Sequence, residues 1–206
     1  MTDYFVLLKQ PRLPWLDVDE LKNRFLTLSS DLHPDRVHGA SEEVKAEANH
    51  RYAVLNAAYS CLRETKDRLL HLLELEQGSR PSDIQRIPPG TMDLFVEVGQ
   101  LCRDVDVFLT ERGKVTSPLV KVQFFEKGME WTDKLQALQR TLNAKRDELG
   151  AELACMTPVF NSAPPSGNLQ RASQLPLERL EQIYRILSYV ARWSGQIQDR
   201  VVELSV

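Results

Sequence analysis

Apolar residues recur at steps of three and four through most of this chain, and nowhere do they alternate with polar ones over the length of a strand. The first clear stretch follows Asp17. Leu21, Phe25, Leu28 and Leu32 lie four, three and four apart, which puts them on one face of a helix. Asp17 stands where an N-cap acceptor is needed, and Glu20 three residues on completes a capping-box pattern. Pro34 ends the helix, because the residue before a proline is pushed out of helical geometry. After the polar loop HPDRVHGAS, Ser41 with Glu42 and Glu43 opens a second helix, on which Tyr52, Leu55, Tyr59 and Leu62 repeat at three and four. Two facing apolar stripes joined by a polar connection predict an antiparallel helical pair. DYFVLL predicts a short helix laid across that pair, and TKDRLLHLLELEQG continues as helix to a natural stop at Gly78.

Residues 79–90, SRPSDIQRIPPG, form a proline-rich break. It divides a first domain, 1–78, from a second, 91–206. In the second, TMDLFVEVGQLCRDVDVFLTERG reads as a helix ending near Gly113, and another runs from about Ser117 to about Cys155. The connection from Met156 to Pro176 carries four prolines, and so long a segment is expected to be mobile or functional. The last helix, from about Leu177, holds Leu180, Ile183, Leu187, Val190, Ile197, Val201 and Leu204 in one seam, with Ser194 in register and Trp193 off it. The expected fold is all-α: an antiparallel helical hairpin with flanking helices, then a three-helix bundle.

Composition narrows the classes of function. The 206 residues are 42% apolar and 27% charged, as in an ordinary globular helical protein. A net charge of −3 points to neither nucleic acid nor an anionic membrane as partner. Cys61, Cys102 and Cys155 are far apart and form no C-x-x-C pair, so reduced core thiols are expected and a zinc knuckle or disulfide framework is not. No cationic lead into an apolar run and no apolar stretch approaching 18 residues is present, so neither a secretory leader nor a membrane span is expected.

The one tripeptide that looks chosen for chemistry is His33-Pro34-Asp35, at the tip of the predicted hairpin. As a metal site it would need a third and fourth converging donor. His38 is nearby in sequence, but no second His or Cys cluster occurs elsewhere. As an acid–base pair, with Asp35 orienting His33, it would need a pocket beside a substrate. As a turn, Pro34 fixes the chain and Asp35 caps the loop. Residue types and spacing leave these readings open.

The order of features around the tripeptide resembles a J-domain, the module by which co-chaperones engage DnaK-type ATPases. ELKNRFLTLSSDLHPDR is followed by LNAAYSCLRETKDRL, with Arg68 in place. The opening DYFVLL, the LD before the helix, LNAAY…LR…R…LL and a helical C-terminal part make the chain similar, more narrowly, to the HscB-type co-chaperones of iron–sulfur cluster assembly. The J-domain match covers about residues 3–78. The resemblance implies a cytoplasmic protein, without cofactor or metal and not itself an enzyme, that stimulates ATP hydrolysis by a DnaK/HscA-type chaperone. It implies that Asp35 pairs with an arginine of that chaperone, that His33 and Pro34 shape the loop, and that Lys22, Arg24 and Arg36 supply a steering basic face. Relatives usually carry further basic residues before the tripeptide, where this chain has Ser29, Ser30 and Asp31. Each missing exposed charge pair is worth only about 0.2–1 kcal/mol, so slower and weaker association is expected, not its loss.

For the second domain the resemblance implies delivery of a client, the iron–sulfur scaffold protein, from the first bundle helix. Phe95, Val98, Leu101 and Cys102 form one stripe there by spacing, with Gly99 inside it as a mark of a close helix crossing or an inserted partner. The same stripe suits the bundle core. Two alternatives stand beside this reading: a J-domain adaptor with a different client, and a J-like interaction protein that has lost ATPase coupling. The sequence does not specify the oligomeric state.

Overall fold

The protein, a computed structural model, is described at residues 2–33, 35, 39, 41–81, 87–168 and 170–205. Among these residues there are helices and no strands. The helices are α1 Tyr4–Leu7, α2 Val18–Asp31, α3 Glu42–Arg63, α4 Thr65–Gln77, α5 Met92–Arg112, α6 Pro118–Cys155, α7 Thr157–Ser162, α8 Arg171–Gln174 and α9 Leu177–Ser205. They distribute over two compact units, one of Met1–Ser82 with Gly150–Tyr184, the other of Asp83–Leu149 with Arg185–Val206. Within the proline-rich break, residues 82–86 lie outside the described residues.

In the first unit α3 is the central element, packed against α1, α2 and α4. Asp17 caps α2 by accepting the N–H groups of Asp19 and Glu20, both at 2.9 Å. Leu21, Leu55, Leu62 and Leu72 are fully buried, and Phe25 stacks on Tyr59 at 4.2 Å between ring centroids. Each such aliphatic side chain removed from water stabilises the unit by about 1.5–3 kcal/mol. The second helix of the hairpin and the one after it are not continuous. Glu64 is extended, with φ −84° and ψ 117°, and so separates α3 from α4. At that break the buried Arg68 takes up the Leu62 carbonyl at 2.6 Å, and it also donates to Pro14 O at 3.0 Å and Thr65 Oγ1 at 3.2 Å. Burial lowers its guanidinium pKa to about 10. Gly78 stops α4 in the left-handed conformation at φ 73°.

The long connection after α6, expected to be mobile or functional, carries structure of its own at its described residues. It contains α7 and α8, buries Phe160 and Leu175, and is tied to α4 through an ion pair. Arg171 Nε lies 2.9 and 3.1 Å from the two carboxylate oxygens of Glu76, and its Nη1 donates to Pro164 O at 2.7 Å. Glu76 also faces Arg12 Nη1 at 3.6 Å, and Arg12 Nη2 reaches Asp3 Oδ2 at 2.6 Å. The side chains of Glu76 and Arg171 are 4% and 8% exposed, so this is a desolvated network and not a surface pair.

The second unit is a three-helix bundle of α5 with the 118–149 part of α6 and the 185–205 part of α9. Phe108 stacks with Phe124 at 5.4 Å and meets Trp131 at 6.3 Å. Gln139 donates to Ser194 Oγ at 3.0 Å, and Arg200 bridges to α5 through Cys102 O at 3.2 Å and Asp106 Oδ2 at 2.7 Å. Arg112 caps the end of α9, donating to the carbonyls of Glu203 and Leu204. The buried face of α9 is wider than its three-four seam. Ile186 and Trp193 are buried too, 5% and 3% exposed, because a helix lying against two neighbours must cover a broad arc.

Candidate functional site: the hairpin tip

The C-terminal turn of α2 and the first half of α3 carry the tip. Leu32 closes α2, with its N–H bonded to Leu28 O at 3.0 Å, and the chain turns out at His33. His33 and Asp35 are described; Pro34, Arg36 and His38 lie outside the described residues. The Asp35 N–H donates to His33 Nδ1 at 3.3 Å, and Asp35 Oδ2 lies 3.5 Å from the same nitrogen. The acceptor role at Nδ1 puts the proton of a neutral ring on Nε2. The imidazole turns back over α3, meeting the Tyr52 ring edge-on at 5.4 Å and 73°. The Tyr52 hydroxyl accepts from Ser29 Oγ at 3.3 Å. Beside the tip runs an open groove of about 440 Å³, lined by Leu32, His33, Val44 and Ala48 together with Glu43, Glu47 and Arg51.

The side chains of His33 and Asp35 are 45% and 90% exposed. His33 lines the open groove, and both groups are in contact with solvent. Among the described residues no three His, Cys, Asp or Glu side chains converge in a way that could hold a metal ion. What the arrangement does offer is a carboxylate held out to solvent next to an imidazole whose position is fixed from behind. That suits recognition of a cationic group on a large partner.

Lys22 and Arg24 are exposed on α2, Arg24 with Glu20 at 3.9 Å. Arg68, which stands in the J-domain order, is buried at the α3–α4 break, with its guanidinium bonded to Pro14, Leu62 and Thr65. The α5 stripe divides by exposure. Val98 and Cys102 are buried in the bundle, 1% and 6% exposed, Leu101 is half-buried, and Phe95 is 42% exposed with its ring 6.5 Å from Trp193. Burial raises the Cys102 thiol pKa. Gly99 marks no crossing: a Cβ there would meet only the flexible Arg103 Nη1 at 3.4 Å. Sequence periodicity missed Met92 and Val96, exposed beside Phe95, and the exposed α6 set Leu119, Val122, Phe125 and Met129. They were visible as apolar residues, but nothing local distinguishes an uncovered helix face from a covered one. No helix among the described residues is long and apolar enough to cross a membrane.

No family model matches the chain. The co-chaperone protein HscB of Proteus mirabilis (strain HI4320) is 31% identical over 74 residues, which is 36% of this chain and 43% of that relative. The match thus spans less than half the length of the curated relative. Two solved structures share the fold over 96% of this chain. The crystal structure of human co-chaperone protein HscB is matched over 81% of its length, with a TM-score of 0.62 and 17% identity. The chaperone HscB of Vibrio cholerae is matched over 96% of its length, with a TM-score of 0.53 and 23% identity. In fold over nearly its whole length, and in sequence over about a third of it, the chain resembles the HscB-type co-chaperones.

Proposed function

We propose that the protein is a J-domain co-chaperone that stimulates ATP hydrolysis by a DnaK/HscA-type chaperone through His33, Pro34 and Asp35, and delivers a client from its three-helix bundle. The observation that carries the reading is the tip itself. Asp35 is presented at 90% exposure beside an imidazole that is braced against α3, at the end of a helical pair. A guanidinium on the chaperone would meet that carboxylate in a charge-assisted pair, and an imidazole already held in place beside it loses little freedom on docking. The protein performs no chemistry of its own in this reading. It contributes a differential interaction that favours the hydrolysis-competent state of the ATPase. Lys22, Arg24 and Arg36 are the steering charges, and their small number makes the on-rate modest and salt-sensitive.

The client is proposed to be the iron–sulfur scaffold protein, as in the co-chaperones this chain resembles. Within the α5 stripe, Phe95 is the side chain free to touch it, flanked by Met92 and Val96. Val98 and Cys102 would act only by holding that surface in place. The test is single-turnover ATP hydrolysis by the DnaK/HscA-type chaperones of the source organism, with wild type and with Asp35→Asn. Stimulation by wild type alone is the expected result. No stimulation by the folded protein would reject the reading and leave the helical pair as a scaffold.

A further inference from the structure

We propose that Tyr52 is the positioning residue of the tip: its ring holds the His33 imidazole, and through it Asp35, in the orientation a chaperone meets. The inference rests on the proposed chaperone contact, and it names a residue outside the tripeptide that sets the contact's geometry.

Three linked observations carry it. Tyr52 is half-buried on α3, on the side facing α2, and its hydroxyl is tethered to Ser29 on α2 at 3.3 Å. The ring is therefore held by both helices of the hairpin. His33 lies edge-on to that ring at 5.4 Å, an arrangement in which the positive ring edge meets a π face. His33 Nδ1 then accepts the Asp35 N–H at 3.3 Å. A rigid element is thus connected to an exposed carboxylate in two steps, one of ring contact and one of hydrogen bonding. Without Tyr52, a His33 side chain at 45% exposure would turn among its rotamers, and the Asp35 N–H would lose its fixed acceptor. A planar guanidinium recognises a carboxylate by direction as well as charge, so a loop that samples several orientations binds less productively. Ser29 takes part although it stands where basic residues are usual in the relatives. In this chain that position tethers the brace and adds no charge.

The experiment compares wild type, Tyr52→Phe, Tyr52→Leu, His33→Gln and the His33→Gln/Tyr52→Leu double variant in single-turnover ATPase stimulation. Circular dichroism checks that each is folded. Tyr52→Leu is expected to lower maximal stimulation roughly three- to ten-fold, the range that aromatic pair contacts span. Tyr52→Phe, which keeps the ring and loses the tether, should fall between it and wild type. Because Tyr52 acts through His33, the double variant should be no worse than His33→Gln alone, whereas a merely structural role would make the losses multiply. Without any chaperone, the His33 ring protons and the Asp35 amide should shift in the NMR spectrum of Tyr52→Leu. Multiplying losses, unchanged stimulation by Tyr52→Leu, or unmoved His33 and Asp35 signals would overturn the inference. If wild type stimulates nothing but those signals move as expected, the chaperone reading fails and the brace is retained as a property of the loop.

Discussion

The hairpin tip and the outer face of α5 are both proposed contact surfaces, yet they are specified by different physics. At the tip a few polar atoms at set distances define the contact: an exposed carboxylate, an imidazole 3.5 Å away and a tyrosine ring behind it. On α5 the contact is apolar, with Met92, Phe95 and Val96 between 42% and 57% exposed among the charged Asp93 and Glu97. Directional contacts tolerate few substitutions and leave a recognisable mark in sequence. Apolar contacts depend on area and shape, and many residues serve equally well.

The largest expected effects would separate the two surfaces. Asp35→Asn removes a charge-assisted bond worth about 1.5–3 kcal/mol, so stimulation should drop about ten-fold or more while affinity for the iron–sulfur scaffold protein, by calorimetry, stays the same. Phe95→Asp should do the reverse, weakening the client complex about ten-fold with stimulation by the co-chaperone alone intact. Loss of both activities in either variant would break the comparison. Its unfolding midpoint would then show whether a fold defect is responsible.

A second pair of variants asks what each surface stands on. Glu76→Gln leaves Arg171 buried without its counter-charge, and urea unfolding should show a loss of about 3–5 kcal/mol. Gly99→Ala meets open space apart from one movable Arg side chain, so α5 should gain about 0.5–1 kcal/mol, read in the same way. A destabilised Gly99→Ala would mean that something does approach that face.

The smallest effect is a pH slope. His71 is buried, accepts the Tyr4 N–H at Nε2 at 3.1 Å, and stacks on Tyr4 at 4.5 Å. Burial lowers its pKa below the usual 6.5, against the opposing pull of Asp3 and Glu74, with Arg12 adding to the lowering. Above pH 6.5 the ring is neutral in folded and unfolded chains, and the contribution is fully present. As pH falls through that value the unfolded chain takes up a proton that the folded one refuses, so stability declines until the lowered folded pKa is passed. Urea unfolding at pH 7.5 and 5.5 should show this decline in wild type and a smaller one in His71→Gln. A steeper slope in the variant would contradict the assignment.

Much of the fold was legible because the signals are local. Asp17 and Gly78 mark helix ends by their own chemistry, and the stripes at Leu21–Leu32 and Tyr52–Leu62 call for each other. The tip was legible for the same reason, as a tripeptide between two stripes. The α5 stripe was not, because a period of three and four places Phe95 and Val98 on one face without saying where the covering ends. Trp193 lies off the three-four seam and is still buried, as expected of a core tryptophan: spacing describes a line, and a bundle helix buries an arc. The pair of Glu76 and Arg171 left no trace at all, since its members are 95 positions apart and each alone reads as a solvated charge.

That separation bears on the order in which the chain is made. When residue 82 leaves the ribosome, the hairpin and α4 can already form, but Glu76 has only Arg12 to face. Its second partner emerges some ninety residues later, after α5, α6 and α7. Until then the first unit holds a half-compensated acid that must stay hydrated, keeping that end of α4 loose. A fragment cut at residue 82 would stop the protein permanently at this stage. It would carry the whole tip and still lack the cation that lets α4 close.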